Sequence, residues 1–248
     1  MARDYPYLYT ASRSEAMRLH ETELWEKSFR ENVACARAIE RALRIHSDDE
    51  GTVTPDCASG VLEEYGFKRV NFVLASTVLA LKDVPAVHQS ISDETLDWAR
   101  EICPVPDKEH CRYFTVDTAN VLRDQFIRQT REAYAALGLF DRSQCSAGMY
   151  EKNVQGRVLI MKPSTLKECC WSPQDQLWLA EGGFGCAPIS GGRAIYATCL
   201  GDGEKTRWNR EDFIGVLDER FLPDWAETRL AELRGQKHGQ SMTMNGIL

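Results

Sequence analysis

The feature that most constrains this chain is a change in the period of its apolar residues near Gly156. Upstream they recur every three or four positions, the spacing that lines one side of a helix. Downstream they come in short runs bounded by glycine or proline, the habit of buried strands. One chain therefore holds two kinds of packing. The fold class that follows is α+β, an N-terminal helical bundle followed by a small antiparallel β-sheet or barrel with a C-terminal helix. The expected organisation is a helical domain over 1–140, a linker over 141–155, a small β-rich domain with its closing helix over 156–235 and a flexible tail over 236–248.

In the helical part, Ser12 and Glu15 stand at capping-box spacing. Trp25, Phe29, Val33, Ala36, Ile39 and Leu43 then recur at intervals of three and four, with Lys27, Arg30, Arg37, Glu40 and Arg44 on other faces. This predicts one long amphipathic helix running to about His46. Ser47 to Gly51 is a polar break, and Pro55-Asp56 opens a short helix for which Gly66 offers a left-handed cap. The more apolar run through Val70, Val73, Leu74, Thr77, Val78 and Leu81 suits the centre of a bundle. Ser92 caps a helix carrying Leu96, Trp98, Ala99 and Ile102 that stops near Pro104, and a last one spans about Asp117 to Gly138.

Beyond Gly156, the runs Val158 to Met161, Leu177 to Leu179 and Ala194 to Leu200 read as strands. Gly201-Asp202-Gly203 separates Ala197–Leu200 from Lys205–Trp208, which predicts a hairpin. Pro223 then opens the closing helix through Ala226, Leu230 and Leu233 to Gly235.

A chain of 248 residues with a formal charge of −7 exerts no long-range attraction on phosphate polyanions, which disfavours bulk nucleic-acid binding. The charge is uneven: from Glu151 onward 12 Lys and Arg face 13 Asp and Glu, so the helical part carries nearly all of it. Nine scattered cysteines without a C-x-x-C pair read as reduced thiols, several of them core fillers. Met1 to Pro6 lacks the apolar run of a signal peptide, and no segment has the roughly 20 apolar residues that span a bilayer. The expected location is the cytoplasm, away from membranes.

Several motifs invite chemistry. Gly182-Gly183-Phe184-Gly185 and Gly191-Gly192-Arg193 resemble a phosphate loop, but without a Gly-Lys-Ser/Thr ending they read better as turns and a bulge between strands. Cys103, His110 and Cys111, with Cys169-Cys170, lack the paired spacing of a zinc site, so neither metal nor cofactor is expected. The thiols together with His20, His46, His88, His110 or His238 define no particular dyad, and the catalytic residues stay unassigned. Asp48/Asp49 and Glu63/Glu64 read as solvated acids, and Asp212, three residues after Asn209, as the starter of a turn that carries Phe213 inward. The strongest functional signal is the cluster Arg193, Lys205, Arg207, Trp208 and Arg210 with Tyr196. Alternation on a hairpin would set cations beside an aromatic on one outer face, a combination that binds acidic protein surfaces or single strands.

Two stretches carry a resemblance. Asn32-Val33-Ala34-Cys35, Ala38-Ile39-Glu40, Gly66 to Val70, Phe72 to Val78, Lys82-Asp83 and Trp98-Ala99 resemble a helical domain of unknown function found on integrative and conjugative elements of anaerobic gut bacteria. Lys162-Pro163, Gln176-Leu177, Gly182 to Cys186, Gly192 to Ala194, Asp202-Gly203 and Arg210 to Gly215 are similar to a β-rich module of such proteins. Where that family has Asp-Gly-Arg after its central helix, this chain has Val84-Pro85-Ala86-Val87-His88. The resemblance brings no catalytic role and implies a mobile genetic element as the setting.

The leading expectation is thus a non-enzymatic binding protein of such an element. Its partner would be a host protein or nucleoprotein complex, and its concrete form an anti-CRISPR-like inhibitor of a host defence nuclease. The alternatives are a Cys/His or carboxylate enzyme with its site at the domain junction, and a nucleic-acid-associated accessory factor for element transfer or replication that binds through the β module.

Overall fold

A computed structural model describes residues 5–82, 91–104 and 109–244, the last nine as backbone alone. Val84 to His88 therefore lie outside the described residues, as does the side chain of His238. The chain divides into two compact units, the first ending at Ala136 and the second beginning at Leu137.

The first unit is helical: α1 (Arg13–Arg18), α2 (Thr22–His46), α3 (Ser59–Leu81), α4 (Asp93–Ile102) and α5 (Asn120–Ala136). Ser12 caps α1 by accepting the amide of Glu15, and Ser92 caps α4 by accepting that of Thr95. The single helix expected up to His46 is in fact two. The chain leaves α1 through a Schellman turn, in which the Glu21 amide donates to the Ala16 carbonyl at 2.8 Å and His20 to that of Met17 at 3.2 Å. The left-handed residue of this turn is His20, at φ 60°. Glycine would have announced the stop, and histidine conceals it.

Gly66 breaks α3 internally at φ 78°, where the sequence predicts a helix end. Beyond it nearly every residue from Arg69 to Leu79 is buried, so this half of α3 is packed on all sides, as a central helix must be. Its buried polar groups are tied down. Thr77 donates to the Val73 carbonyl and accepts the Val116 amide at 3.0 Å, fixing the approach to α5. Arg69, about 1% exposed, donates to the carbonyls of Ser28, Pro6 and Tyr7 and to the Asn32 side chain, which fastens the N-terminal segment onto α2 and α3.

The second unit is an open six-stranded antiparallel sheet in the order β1-β6-β2-β3-β4-β5. The strands are β1 (Cys145–Ala147), β2 (Val158–Met161), β3 (Leu177–Gly182), β4 (Ala194–Cys199), β5 (Lys205–Asn209) and β6 (Phe213–Leu217). One face buries Leu159, Met161, Trp178, Ile195 and Phe213, and the other buries Ile160, Leu177, Leu179 and Leu217. A short helix α6 (Pro173–Gln176) precedes β3, and α7 (Asp224–Met244) covers the second face through Ala226, Leu230 and Leu233. Strands β2 and β3 are buried on both faces and need no alternation, which is why they read as continuous apolar runs, whereas edge strand β5 alternates.

Two expectations change. The stretch 141–155 is not merely a linker, because it supplies edge strand β1, paired with β6. Three residues are too few for a periodic signal. The closing helix runs on to Met244 instead of ending at Gly235, since glycine costs a helix interior only about 1 kcal/mol and no proline follows to stop it.

Replacing His20 with glycine removes the cost of a left-handed non-glycine residue. His20→Gly is expected to raise the unfolding free energy by about 0.5–1 kcal/mol, read as a higher urea midpoint at unchanged slope.

Candidate functional site

The loop joining β3 to β4, residues 183–193, gathers the most unusual chemistry in the second unit. It is built around Arg210, which is about 3% exposed and follows β5 directly. Its Nε donates to the Gly185 carbonyl at 2.8 Å, and Nη2 donates to the carbonyls of Ala187 at 2.5 Å and Gly192 at 3.4 Å. The Tyr150 ring lies 4.9 Å from the same guanidinium. A planar fork with fixed donors suits this task, whereas an ammonium supplies a single point of charge.

Glycine at 185 is a steric necessity. A Cβ there would lie 2.3 Å from the Arg193 carbonyl oxygen, which is backbone and has nowhere to move. The loop also holds itself, the Cys186 amide donating to Gly183 and the Gly192 amide to the Ser190 hydroxyl. The Asn209–Asp212 capping box fixes the exit from β5, its Asn209 amide donating to Asp212 Oδ2 at 2.7 Å. Asp212 thus starts the turn that buries Phe213, as the sequence suggests.

This geometry explains the glycine-rich motif. A phosphate loop turns amide N–H groups toward its ligand. Here three carbonyls turn toward a cation that the chain itself provides. Outside this clamp the apolar side chains face solvent: Phe184 is 79% exposed, Ile189 98% and Tyr150 60%. Arg193 and Glu211 flank them as an ion pair at 3.3 Å, with the Tyr150 hydroxyl donating to the same carboxylate. Glu211 titrates below the usual carboxylate range, first because it accepts its own backbone amide and further because of Arg193 and Tyr150.

The five residues singled out in the sequence do not form one face. Lys205 and Arg207 are exposed on one side of β5, with Arg207 directly across from exposed Tyr196 of β4. Trp208 points to the opposite side, half-buried, edge-on to Trp178 at 5.3 Å, and its indole N–H is buried without an acceptor. Arg210 is the clamp and Arg193 belongs to the loop. Tyr150, Phe184 and Ile189 are the residues that the sequence reading missed. Their signal was apolar side chains set in a turn-forming run, where no strand or helix period would bury them.

Seven of the nine thiols are placed against nucleophilic chemistry. Burial pushes Cys35 up to about 12 and Cys57 and Cys199 to about 11, and raises Cys103, Cys145, Cys170 and Cys186 as well. An attacking thiol needs the opposite shift. Cys103 and Cys111 are core residues of the helical unit, and His110 packs edge-on to Trp25 at 5.0 Å. Among the described residues no group of three or more His, Cys, Asp and Glu could hold a metal ion, and no helix is long and apolar enough to cross a membrane.

The chain belongs to the family described as a protein of unknown function, DUF3849, whose model matches residues 8–135, just over half of its length. The match covers the helical unit and leaves the sheet and its loop outside. No curated protein and no solved structure matches the chain.

Two outcomes are expected. Gly185→Ala will destabilise the protein by about 2 kcal/mol or more, while Gly191→Ala, with nothing within 4 Å of the added carbon, will leave the melting temperature within about a degree. In the native protein at mildly alkaline pH, a thiol reagent will label the half-exposed Cys145, Cys169 and Cys170 and spare the six buried cysteines, as read by mass spectrometry.

Proposed function

We propose that this protein is a non-enzymatic binding protein that presents the 183–193 loop of its sheet unit to a macromolecular partner. The observation that supports the reading best is the pairing of order with exposure. An irregular loop is held by a buried guanidinium on three of its own carbonyls, and the order so gained serves to display Phe184 and Ile189. A large apolar side chain left in water forgoes about 1.5–3 kcal/mol of burial, and a partner that covers it recovers that amount. A loop already ordered loses little further entropy on docking. Apolar residues rimmed by Arg193 and Glu211 have the composition of an interface core with its polar edge.

The raised thiols weigh against the cysteine-enzyme alternative. We read the setting as a mobile genetic element and the cell compartment as the reducing cytoplasm, in keeping with nine cysteines that form no disulfide. The concrete form of the role would be inhibition of a host defence nuclease, in which the acidic helical unit competes for a cationic nucleic-acid channel. Purified protein added to such a nuclease should then slow cleavage, and cleavage at an unchanged rate would remove that form of the reading.

The broader reading is tested by affinity capture from the native host. Wild type and the control Val121→Ser, altered at an exposed site of the helical unit, should retain a common partner that Phe184→Ser/Ile189→Ser loses by tenfold or more, corresponding to about 1.4 kcal/mol. Equal retention by all three proteins would refute it.

A further inference from the structure

We infer that the outer edge of β5 is a second docking site, one that takes an extended acidic segment of another protein as an added strand. The inference rests on the binding role proposed above and names a different surface for it.

Strand β5 ends the sheet, and among the described residues no strand pairs with its other side. The ladder fixes which of its backbone groups are committed. Residues 199 and 204 form a hydrogen-bonded pair, the Cys199 amide donating to the Glu204 carbonyl at 2.8 Å, and the Arg210 amide donates to Arg193 in the same phase. Hydrogen-bonded and non-bonded pairs alternate in an antiparallel ladder. Residues Thr206 and Trp208 therefore face β4, while Lys205, Arg207 and Asn209 turn their amides and carbonyls outward. The Asn209 amide is taken by Asp212. That leaves Lys205 and Arg207, two residues apart, as an open template for strand addition.

The side chains decide what fits. Lys205 and Arg207 share one face of β5, both exposed, and Tyr196 stands across from Arg207. Pairing with a second copy would bring this edge against the same cations, and like charges opposite one another oppose pairing. The chain is acidic as a whole, so the two cations form a local exception and select for acidic side chains on alternate positions of the incoming strand.

The test uses the full-length protein and two synthetic peptides of about eight residues, one alternating valine with glutamate and the other valine with lysine. The glutamate peptide should slow hydrogen exchange of the Lys205 and Arg207 amides and bind about tenfold more tightly than the lysine peptide, an advantage that salt erodes. Arg207→Pro removes one outward donor without touching the β4 ladder and should abolish that binding. Lys205→Glu/Arg207→Glu keeps the backbone template and should exchange the peptide preference. Equal binding of both peptides, or protection elsewhere in the chain, would overturn the inference. It also fails if wild type dimerises in sedimentation and Arg207→Pro does not, which assigns the edge to a second copy, or if an oligonucleotide displaces the glutamate peptide, which assigns it to nucleic acid. Capture that depends on Phe184 and Ile189 while neither peptide binds would leave the loop reading standing and defeat this one alone.

Discussion

The contact between the Arg210 guanidinium and the carbonyls of Gly185, Ala187 and Gly192 is the interaction on which the proposed docking surface depends. An irregular segment that buries little beyond Gly185 and Cys186 while showing Phe184 and Ile189 to water gains little from burial, and each ordered residue costs about 1–2 kcal/mol of backbone entropy. Something else must hold it. Charge-assisted bonds contribute roughly 1.5–3 kcal/mol each, and a desolvated guanidinium is stable only where its donors are met. Cation and loop therefore require each other. The arginine satisfies carbonyls that would otherwise lack partners, and the carbonyls make it tolerable to bury a charge that has no carboxylate bonded to it.

The helical unit repeats the device. Arg69 gathers the carbonyls of Pro6, Tyr7 and Ser28 with the Asn32 amide group, and an extended N-terminal segment is held where no helix would reach. Gln176 does comparable work beside the sheet as a neutral group, exchanging bonds with both backbone groups of Phe140 and donating to the Met161 carbonyl. Arg123 of α5 is the contrast. It is fully buried, none of its nitrogens makes a hydrogen bond, and its ion-pair partner is Asp124 at 3.5 Å. Burial pulls its pKa down and pushes that of Asp124 up, the mark of a poorly compensated pair.

Periodicity made most of the architecture legible. The central helix was visible because no face of Val70 to Leu81 is polar, and the β4–β5 hairpin because glycines bracket Asp202 between the apolar run Ala197–Leu200 and the alternating Lys205–Trp208. What stayed hidden shares a cause. His20 ends α1 in a conformation associated with glycine, and β1 is three residues long. Neither the substitution of one residue in a turn nor so short a strand leaves a trace in a window average. The site was half legible. Arg210 and the glycines stood out by composition, but whether a cation on a hairpin points to water or into its own loop depends on contacts between residues some 20 positions apart. Lys205 and Arg207 share one face of β5 and Trp208 lies on the other, so the single aromatic-basic face expected from the sequence becomes an edge and a clamp.

The central claim is that one buried guanidinium organises the 183–193 loop. Amide hydrogen exchange across residues 184–192, compared between wild type and Arg210→Met, tests it most directly. The account predicts protected Cys186, Ala187 and Ser190 amides in wild type, exchanging at least tenfold faster in the variant, a local loss of about 1.4 kcal/mol or more, while β2 and β3 amides change far less. Identical loop exchange in the two proteins would contradict it.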